Sequence, residues 1–351
     1  MEGSSRQREI LKAVVDSYIA TGEPVGSKAV AAALKKPCSS ATVRNEMAEL
    51  EKLGLLEQPH TSAGRIPTRR GYSLYVDELM ENVSLSFEES LLLHSVLTEA
   101  RRGGDKGLQD LSKLLARMTK CAVITFSRSA AGTIERFEGV FIHPHAFLLV
   151  MITSSGRALT RQLSSPFPLE AEAVEFLIRV LNENLAKKEL GAVTMERIAA
   201  LEESLGEYRG MISVILQVIY DAMDELGKTA VVKAGLANLF AYPEFHDPAH
   251  TGRLLEEIED ETALIQRFTE TASPTLQVHI GTGEKGLSGA SFVTCPFRIG
   301  KRRRGIACII GPKRMDYAGV MAKLEYLSKQ MGSAQDFEPA LPLIETGNDN
   351  E

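Results

Sequence analysis

A short stretch near the N-terminus, SSATVRNEM (residues 39–47), groups side chains that can hydrogen-bond to both phosphates and base edges. Ser39 or Ser40 can cap a helix, and the free N–H groups of a helix start can meet a phosphate. Hydroxyl, guanidinium and amide groups such as those of Thr42, Arg44 and Asn45 can read bases in the major groove. We therefore predict that Ser39, Ser40, Thr42, Arg44 and Asn45 contact double-stranded DNA.

A second group of candidates follows in RIPTRR (residues 65–70), and residues 58–76 contain no acidic side chain. Arg65 stands beside Gly64 at the predicted tip of a hairpin, where it can reach a minor groove or a phosphate. Arg69 and Arg70, with Thr68 next to them, can hold the DNA backbone. Each arginine–phosphate contact adds roughly −0.9 to the slope of log affinity against log salt, so we expect salt-dependent binding.

The charge of the whole chain requires any contact with DNA to be local. The 40 basic and 46 acidic residues give a net charge of −6, which excludes a protein that is basic all over. Glu46, Glu49 and Glu51 would be repelled by DNA, so that end of the helix is expected to point away. A helix that merely packs, beside a solvated basic face, would explain any one of these residues, but their combination favours DNA binding.

Three predicted helices and a hairpin position these side chains. Apolar residues recur at helical spacing in residues 5–20, and breaks at TGEPVGS and KKPC separate two further helices. LLEQPH and RIPTRR are short enough to be two strands joined by the turn TSAG. This order predicts a winged helix-turn-helix, which places the start of its third helix in the major groove.

The remaining chain predicts one α+β domain that is interrupted by a helical insertion. Period-two, β-branched stretches between residues 121 and 163 are followed by long helical patterns, and strands resume near residue 275. We predict the insertion between about residues 185 and 245. Four separated cysteines predict reduced thiols in a cytoplasmic protein. The longest apolar run, FLLVMI, is too short to span a bilayer, so no membrane contact is expected.

Residues 39–80, SSATVRNEMAELEKLGLLEQPHTSAGRIPTRRGYSLYVDELM, closely resemble the winged-helix region of the heat-inducible transcription repressor (HrcA) family. LTRQLSSP, LANLFAYPEFHD and GPKRMDYAGVMAKLEYLS resemble later landmarks of the family. The resemblance implies an α+β fold with an N-terminal winged helix-turn-helix, then a GAF-like domain interrupted by a mainly helical dimerisation domain. The corresponding ranges are a winged helix at 1–82, a linker helix at 83–106, the GAF-like domain at 107–184 and 246–338, the dimerisation domain at 185–245 and a disordered tail at 339–351.

The same resemblance implies a function and partners. The family comprises homodimeric bacterial repressors of chaperone operons that bind an inverted-repeat operator, the CIRCE element. The chaperonin GroEL keeps such a repressor active, and heat stress withdraws that support. The resemblance thus implies a cytoplasmic protein that is associated with the nucleoid while it represses.

The apolar face of MISVILQVIYDAM (residues 211–223) has two interpretations, a core helix or a seam between subunits. Because a palindromic operator requires a two-fold dimer, we favour the seam. Its predicted members are Ile212, Ile215, Leu216 and Ile219.

Other patterns give weaker predictions of chemistry. GTGEKG (residues 281–286) has dinucleotide-site spacing, but a strand pattern follows it where a helix is needed. His246, Asp247 and His250 could suggest a metal site, but Pro243 and Pro248 make a continuous helix unlikely, so the histidine spacing loses its meaning and no further ligand is evident. We therefore expect no cofactor, no metal and no enzyme. A ligand-gated regulator and an enzyme with an appended DNA-binding module remain alternatives.

Two features depart from the family pattern. The basic hairpin Lys301–Arg304 is either a solvated loop or an auxiliary phosphate contact, and the first interpretation is favoured. FRIG, before it, stands where the family commonly has an aromatic residue.

Overall fold

A computed structural model of the chain describes residues 4–60, 63–102, 104–129, 133–154, 156–187, 195–227, 229–270, 273–281, 289–299 and 303–331. The N-terminal part contains four helices and one small hairpin. Their bounds are α1 (Ser5–Thr21), α2 (Ser27–Ala33), α3 (Ser40–Lys52), β1 (Leu56–Glu57), β2 (Ile66–Pro67) and α4 (Arg69–Leu74), which continues as a π-helical turn, Tyr75–Leu79. This order is the predicted winged helix-turn-helix.

Local sequence signals account for the start and the packing of α1. Ser4 and Gln7 form a capping box, in which each side chain accepts a hydrogen bond from the other residue's backbone. Four residues at helical spacing are buried on one face of α1: Ile10, Leu11, Val14 and Val15. The helix therefore packs through that face, as its periodicity predicts.

The wing, residues 56–67, is smaller than the sequence predicts. Its antiparallel strands are two residues long, with Leu56 opposite Pro67 and Glu57 opposite Ile66. Assigning Arg69 and Arg70 to a strand is wrong, because both lie in the first turn of α4. The reason is Thr68, whose side chain caps α4 by accepting a hydrogen bond from the Gly71 N–H.

The rest of the chain continues with helices and strands in mixed order. The bounds are α5 (Phe87–Arg102), α6 (Gly104–Thr119), β3 (Ala122–Ser129), β4 (Ile134–His143), β5 (Ala146–Thr153), β6 (Ala158–Ser164), α7 (Ala171–Asn184), α8 (Met195–Leu205), α9 (Ile212–Gly227), β7 (Ala230–Ala234), α10 (Pro248–Glu259), α11 (Glu261–Glu270), β8 (Gln277–His279), β9 (Ser291–Ile299), β10 (Arg303–Gly311) and α12 (Tyr317–Met331). The predicted fold class, a winged helix followed by α+β structure, is confirmed.

Two compact units divide these elements. Unit 1 groups Met1–Phe126, Val231–Ile299 and Gly305–Glu351, and unit 2 groups Ser127–Ala230 with Gly300–Arg304. In unit 1 a five-stranded sheet has the order β7-β3-β10-β9-β8. Alternate residues of β3 enter different cores: Val123 joins the core that includes the winged helix and α12, whereas Ile124 joins the core with α10 and α11. Period-two burial on both faces therefore makes this sheet the middle layer of unit 1.

In unit 2 a three-stranded antiparallel sheet, ordered β4-β5-β6, packs with α7 and α9. Asn182 of α7 accepts a hydrogen bond from the Phe137 N–H (2.9 Å) and donates one to the Phe137 carbonyl (2.8 Å). This side chain satisfies both backbone groups of a residue in β4 and so joins helix and strand.

Unit 2 differs from the predicted insertion at both ends. It begins at Ser127 and ends at Ala230, whereas the insertion was placed at 185–245. Strands β4 to β6 have the same period-two pattern as β3, and periodicity does not reveal which sheet a strand joins. The structure therefore puts these strands in unit 2, in a different sheet from the five-stranded sheet that contains β3.

Several predictions fall on residues that the structure does not describe. The tail at 339–351, residues 282–286 of the glycine loop, and Lys301 and Arg302 lie outside the described residues. Arg304, the last residue of the basic hairpin, is exposed on β10. Among the described helices, none combines the length and apolarity that a bilayer-spanning segment needs.

Candidate nucleic-acid interface

The start of α3 has free donors and no carboxylate. Ser39 is the N-cap: its Oγ accepts a hydrogen bond from the Thr42 N–H at 3.0 Å and lies 2.8 Å from the Thr42 Oγ1. The first turn has no acidic residue. Because helix geometry leaves the N–H groups of Ser40 and Ala41 without intrahelical acceptors, this end can bind a phosphate oxygen.

Arg44 and Asn45 are exposed on the second turn of α3. The opposite face is held by three buried residues, Val43, Met47 and Leu50. The helix is thus fixed by its apolar stripe while two side chains with several hydrogen-bonding groups face solvent. Ser40 and Thr42 are half-buried, and the Thr42 hydroxyl already contacts Ser39. Of the five residues predicted here, Ser39, Arg44 and Asn45 are exposed, and the Ser39 hydroxyl is engaged in the cap, so Arg44 and Asn45 have the free side chains.

The C-terminal end of α3 carries acidic residues, and a glycine ends the helix there. Glu49 forms an ion pair with Lys52, 2.7 Å between Oε1 and Nζ. Gly54, at φ +70°, ends the helix in the left-handed region that glycine adopts without strain. Acidic residues at this end match the predicted charge gradient along the helix.

Arg65 lies in a different place from the one predicted for it. Its Nη2 is 2.9 Å from the Glu51 Oε2, and its side chain is only 20% exposed. Its backbone N–H donates to the Val25 carbonyl, and its carbonyl accepts from the Val25 N–H, both at 2.9 Å. Arg65 is therefore held against α3 and the α1–α2 loop, and it does not project from the tip of the wing.

Thr68 and Arg70 also contact the end of α3. The Thr68 hydroxyl donates to the Gly54 carbonyl at 2.7 Å, and Arg70 Nη1 donates to the Leu53 carbonyl at 3.1 Å. A cation beside the last carbonyls of a helix is favourable for the helix dipole. These contacts satisfy carbonyl groups that the end of α3 leaves without intrahelical donors.

Arg69 differs from its neighbours. Its side chain is exposed, and among the described residues its guanidinium forms no hydrogen bond or ion pair, although its backbone carbonyl accepts a hydrogen bond from the Ser73 hydroxyl. It also lies in the first turn of α4, where a positive charge opposes the helix dipole. Arg69 is thus the open cation on the wing side of this surface.

The elements that carry these side chains are tied to α1. The Tyr75 hydroxyl donates to Asp16 Oδ1 at 2.6 Å, and Arg8 pairs with Glu78 at 2.7 Å. Burial and the hydrogen bond to Asp16 raise the pKa of Tyr75, which further favours the protonated phenol that donates this hydrogen bond. The residues after α4 are therefore attached to α1.

The four residues predicted as a subunit seam lie on α9. Ile212, Ile215 and Ile219 are 5%, 0% and 1% exposed and belong to the core of unit 2, and Leu216 is half-buried against it. The core interpretation therefore describes the three isoleucines, and only Leu216 keeps surface for a partner. Helical spacing of apolar residues is compatible with a core helix and with a subunit seam. It predicts that one face is buried, but it does not show whether the same chain or a second chain covers that face.

The cysteines and histidines that could support catalysis or metal binding are buried or already have structural contacts. Burial raises the pKa of the Cys121 thiol and of the Cys295 thiol to about 12, which keeps both protonated. Asp247 caps α10, and the ring of His250 stacks on Phe245. Within the described residues, no three metal-ligating side chains are grouped.

Comparison with known proteins identifies the family. A family model described as winged helix-turn-helix transcription repressor, HrcA DNA-binding, matches residues 2–79, and one described as HrcA protein C terminal domain matches residues 105–321. The chain is 33% identical over 338 residues to the heat-inducible transcription repressor HrcA of Clostridium acetobutylicum, covering 96% of this chain and 98% of that protein. It is 32% identical to the HrcA of Pelotomaculum thermopropionicum, covering 94% and 96%.

A solved structure agrees with the fold. The crystal structure of a hypothetical protein aligns with a TM-score of 0.62 and 26% identity, covering 94% of this chain and 99% of that one. The surface built by α3 and α4 lies inside the segment that the DNA-binding model matches, and the resemblance noted from the sequence is confirmed. The chain therefore belongs to the HrcA family of heat-inducible, winged helix-turn-helix transcription repressors, which bind DNA and are not enzymes.

Proposed function

We propose that this repressor binds the inverted-repeat CIRCE operator of chaperone operons as a homodimer, in the cytoplasm and at the nucleoid. In each subunit the start of α3 enters the major groove, where Arg44 and Asn45 contact base edges and Ser39, Ser40 and Thr42 lie beside the phosphates. Arg69 and Arg70 approach the backbone beside the wing. The observation that carries this proposal is the exposed Arg44–Asn45 pair on a helix whose first turn has no acidic residue.

The homodimer is proposed to form through unit 2. Strand β4 is an edge strand of the three-stranded sheet, and its last residues Val140, Phe141 and Ile142 are 53%, 36% and 44% exposed. Exposed apolar residues on a sheet edge favour pairing with another strand. A second copy of β4 would cover these side chains and generate the two-fold symmetry that an inverted repeat requires.

We expect the purified repressor to have the mass of two chains in light scattering. Phe141→Glu should weaken self-association by about tenfold, because a carboxylate would be buried in the pairing surface. Gln162→Glu is the matched control, since Gln162 is exposed on β6, the other edge of the same sheet. A native monomer, or equal effects of both substitutions, would contradict this dimer surface.

Activity is proposed to depend on the chaperonin GroEL. A marginally stable repressor that unfolds and aggregates on heating needs a chaperone to return to the DNA-binding state. Repression would then depend on the amount of free chaperonin. During heat stress unfolded proteins occupy the chaperonin, so less of it is available to the repressor.

Footprinting on a CIRCE-containing promoter tests operator and chaperonin together. Native protein should protect both half-sites symmetrically, lose protection after heating near heat-shock temperatures, and regain it when GroEL and ATP are added. If the protein protected only sequences unrelated to CIRCE, the proposed operator would be contradicted. If protection returned fully after heating without GroEL, the proposed dependence on the chaperonin would be contradicted.

A further inference from the structure

The last residue of the wing turn and the segment that follows the wing contact the end of α3 through three side chains, those of Arg65, Thr68 and Arg70. Arg65, which immediately precedes β2, pairs with Glu51 in the last turn of α3 at 2.9 Å. Thr68 binds the Gly54 carbonyl, and Arg70 binds the Leu53 carbonyl. All three contacts connect the segment 65–70 to the segment 51–54, so they set the angle between wing and helix.

The backbone at Arg65 is fixed as closely as its side chain. It forms an antiparallel bridge with Val25 through two 2.9 Å hydrogen bonds. On the other side of the wing turn, the Gln58 side chain donates to the Ala63 carbonyl at 3.0 Å. The wing is thus restrained on both strands, and Arg65 is where the loop before α2, the wing and α3 meet.

The burial of Arg65 separates it from Arg69. The Arg65 Nε is fully buried, and its side chain is 20% exposed against 36% for its partner Glu51. For Arg65 to reach a phosphate it would have to release Glu51, which would leave a half-buried carboxylate without its partner. Arg69 can reach a phosphate without breaking an ion pair or leaving a buried position, because its side chain is exposed and forms no ion pair among the described residues.

We propose that Arg65 is a positioning residue: its ion pair with Glu51 sets the wing against α3, and Arg69 is the wing-side cation that contacts phosphate. This rests on the proposed DNA-binding function of the same surface. It replaces the direct role that the sequence suggested for Arg65. It also assigns to the acidic Glu51, close to a polyanion, a favourable effect on DNA affinity.

Glu51→Gln distinguishes the two roles by the sign of its effect. A positioning pair predicts that operator affinity falls by about fivefold, because a partly exposed ion pair contributes up to about 1 kcal/mol. If Arg65 instead binds phosphate, Glu51→Gln releases it and removes a repulsive charge, and affinity rises. Glu49→Gln is the matched control: it removes the same charge from the same end of α3, from a pair that does not touch the wing.

A charge exchange gives the second test. Arg65→Glu alone should weaken binding by about tenfold or more, since it places two carboxylates together. The double variant Glu51→Arg with Arg65→Glu should return to within about threefold of the native affinity. If the double variant stays as weak as Arg65→Glu, the positioning role is overturned. Circular dichroism of each variant, compared with the native protein, confirms that the fold is kept.

Salt dependence separates this inference from the proposed function. Arg69→Ala should reduce the magnitude of the log–log salt slope by about 0.9 for each chain bound, whereas Glu51→Gln should leave the slope unchanged. An unchanged slope for Arg69→Ala, together with stronger binding by Glu51→Gln, would reject these two assignments only. If Arg44→Ala and Arg69→Ala both left DNA affinity intact, the whole proposed surface would be rejected.

Discussion

Arg44→Ala should weaken binding to the CIRCE operator by about 10- to 100-fold, which corresponds to about 1–3 kcal/mol for a bidentate base contact. Binding to unrelated DNA should fall much less, because that binding depends on phosphate contacts. Arg44 is exposed on the second turn of α3, above a buried stripe that does not include it. The substitution therefore removes base-reading groups without opening the core.

Lys52→Ala is the control for the lost charge. Lys52 is on the same helix, its side chain is 72% exposed, and it pairs with Glu49 at the opposite end of α3 from Ser39. Gel shifts on operator and on scrambled duplex, at matched salt, give the specificity ratio for both variants. Equal losses for Arg44→Ala and Lys52→Ala would mean that Arg44 acts through charge alone and reads no base.

Gly64→Ala should distort the wing and weaken operator binding by about tenfold or more. An added Cβ at residue 64 would lie 2.4 Å from the carbonyl carbon and oxygen of Val25 and 2.8 Å from the carbonyl carbon of Pro24. Such contacts force the backbone apart and break the bridge between Val25 and Arg65. Overpacking of this kind costs about 1–3 kcal/mol of stability.

Gly26→Ala is the matched control, in the α1–α2 loop that Gly64 approaches. No atom lies within 4 Å of a Cβ at residue 26. Urea unfolding and operator titration should show a loss for Gly64→Ala and little change for Gly26→Ala. Native-like binding by Gly64→Ala would show that the close approach of wing and loop does not matter for the DNA complex.

The parts of the DNA-binding surface that were predictable depend on neighbours in sequence. The cap at Ser39, the buried stripe of Val43, Met47 and Leu50 and the end of α3 at Gly54 all follow from residues within one or two turns. Helix boundaries and the exposed face that holds Arg44 and Asn45 therefore emerged with no knowledge of the fold.

The partners of the arginines were not predictable in the same way. Arg65, Thr68 and Arg70 looked like equal members of a basic wing, yet each contacts residues 51–54. A long side chain can turn toward solvent or toward a carboxylate that the fold brings close, and sequence spacing does not distinguish these. The sequence does contain an acidic partner, Glu51, fourteen residues before Arg65. The two residues become neighbours only when the wing folds back on α3.

For this protein the sequence alone determined the winged helix, the α+β class, the family and the residues available for DNA contact. These follow from local capping, from periodic burial and from long motifs, all of which are written within short segments. Only the tertiary structure decided that β4 to β6 belong to unit 2 and that Ile212, Ile215 and Ile219 pack inside one chain. It also decided that Arg65 forms an ion pair with Glu51. Those outcomes depend on contacts between distant segments, because which strand pairs, which face is covered and which charge is neutralised are settled when the chain folds.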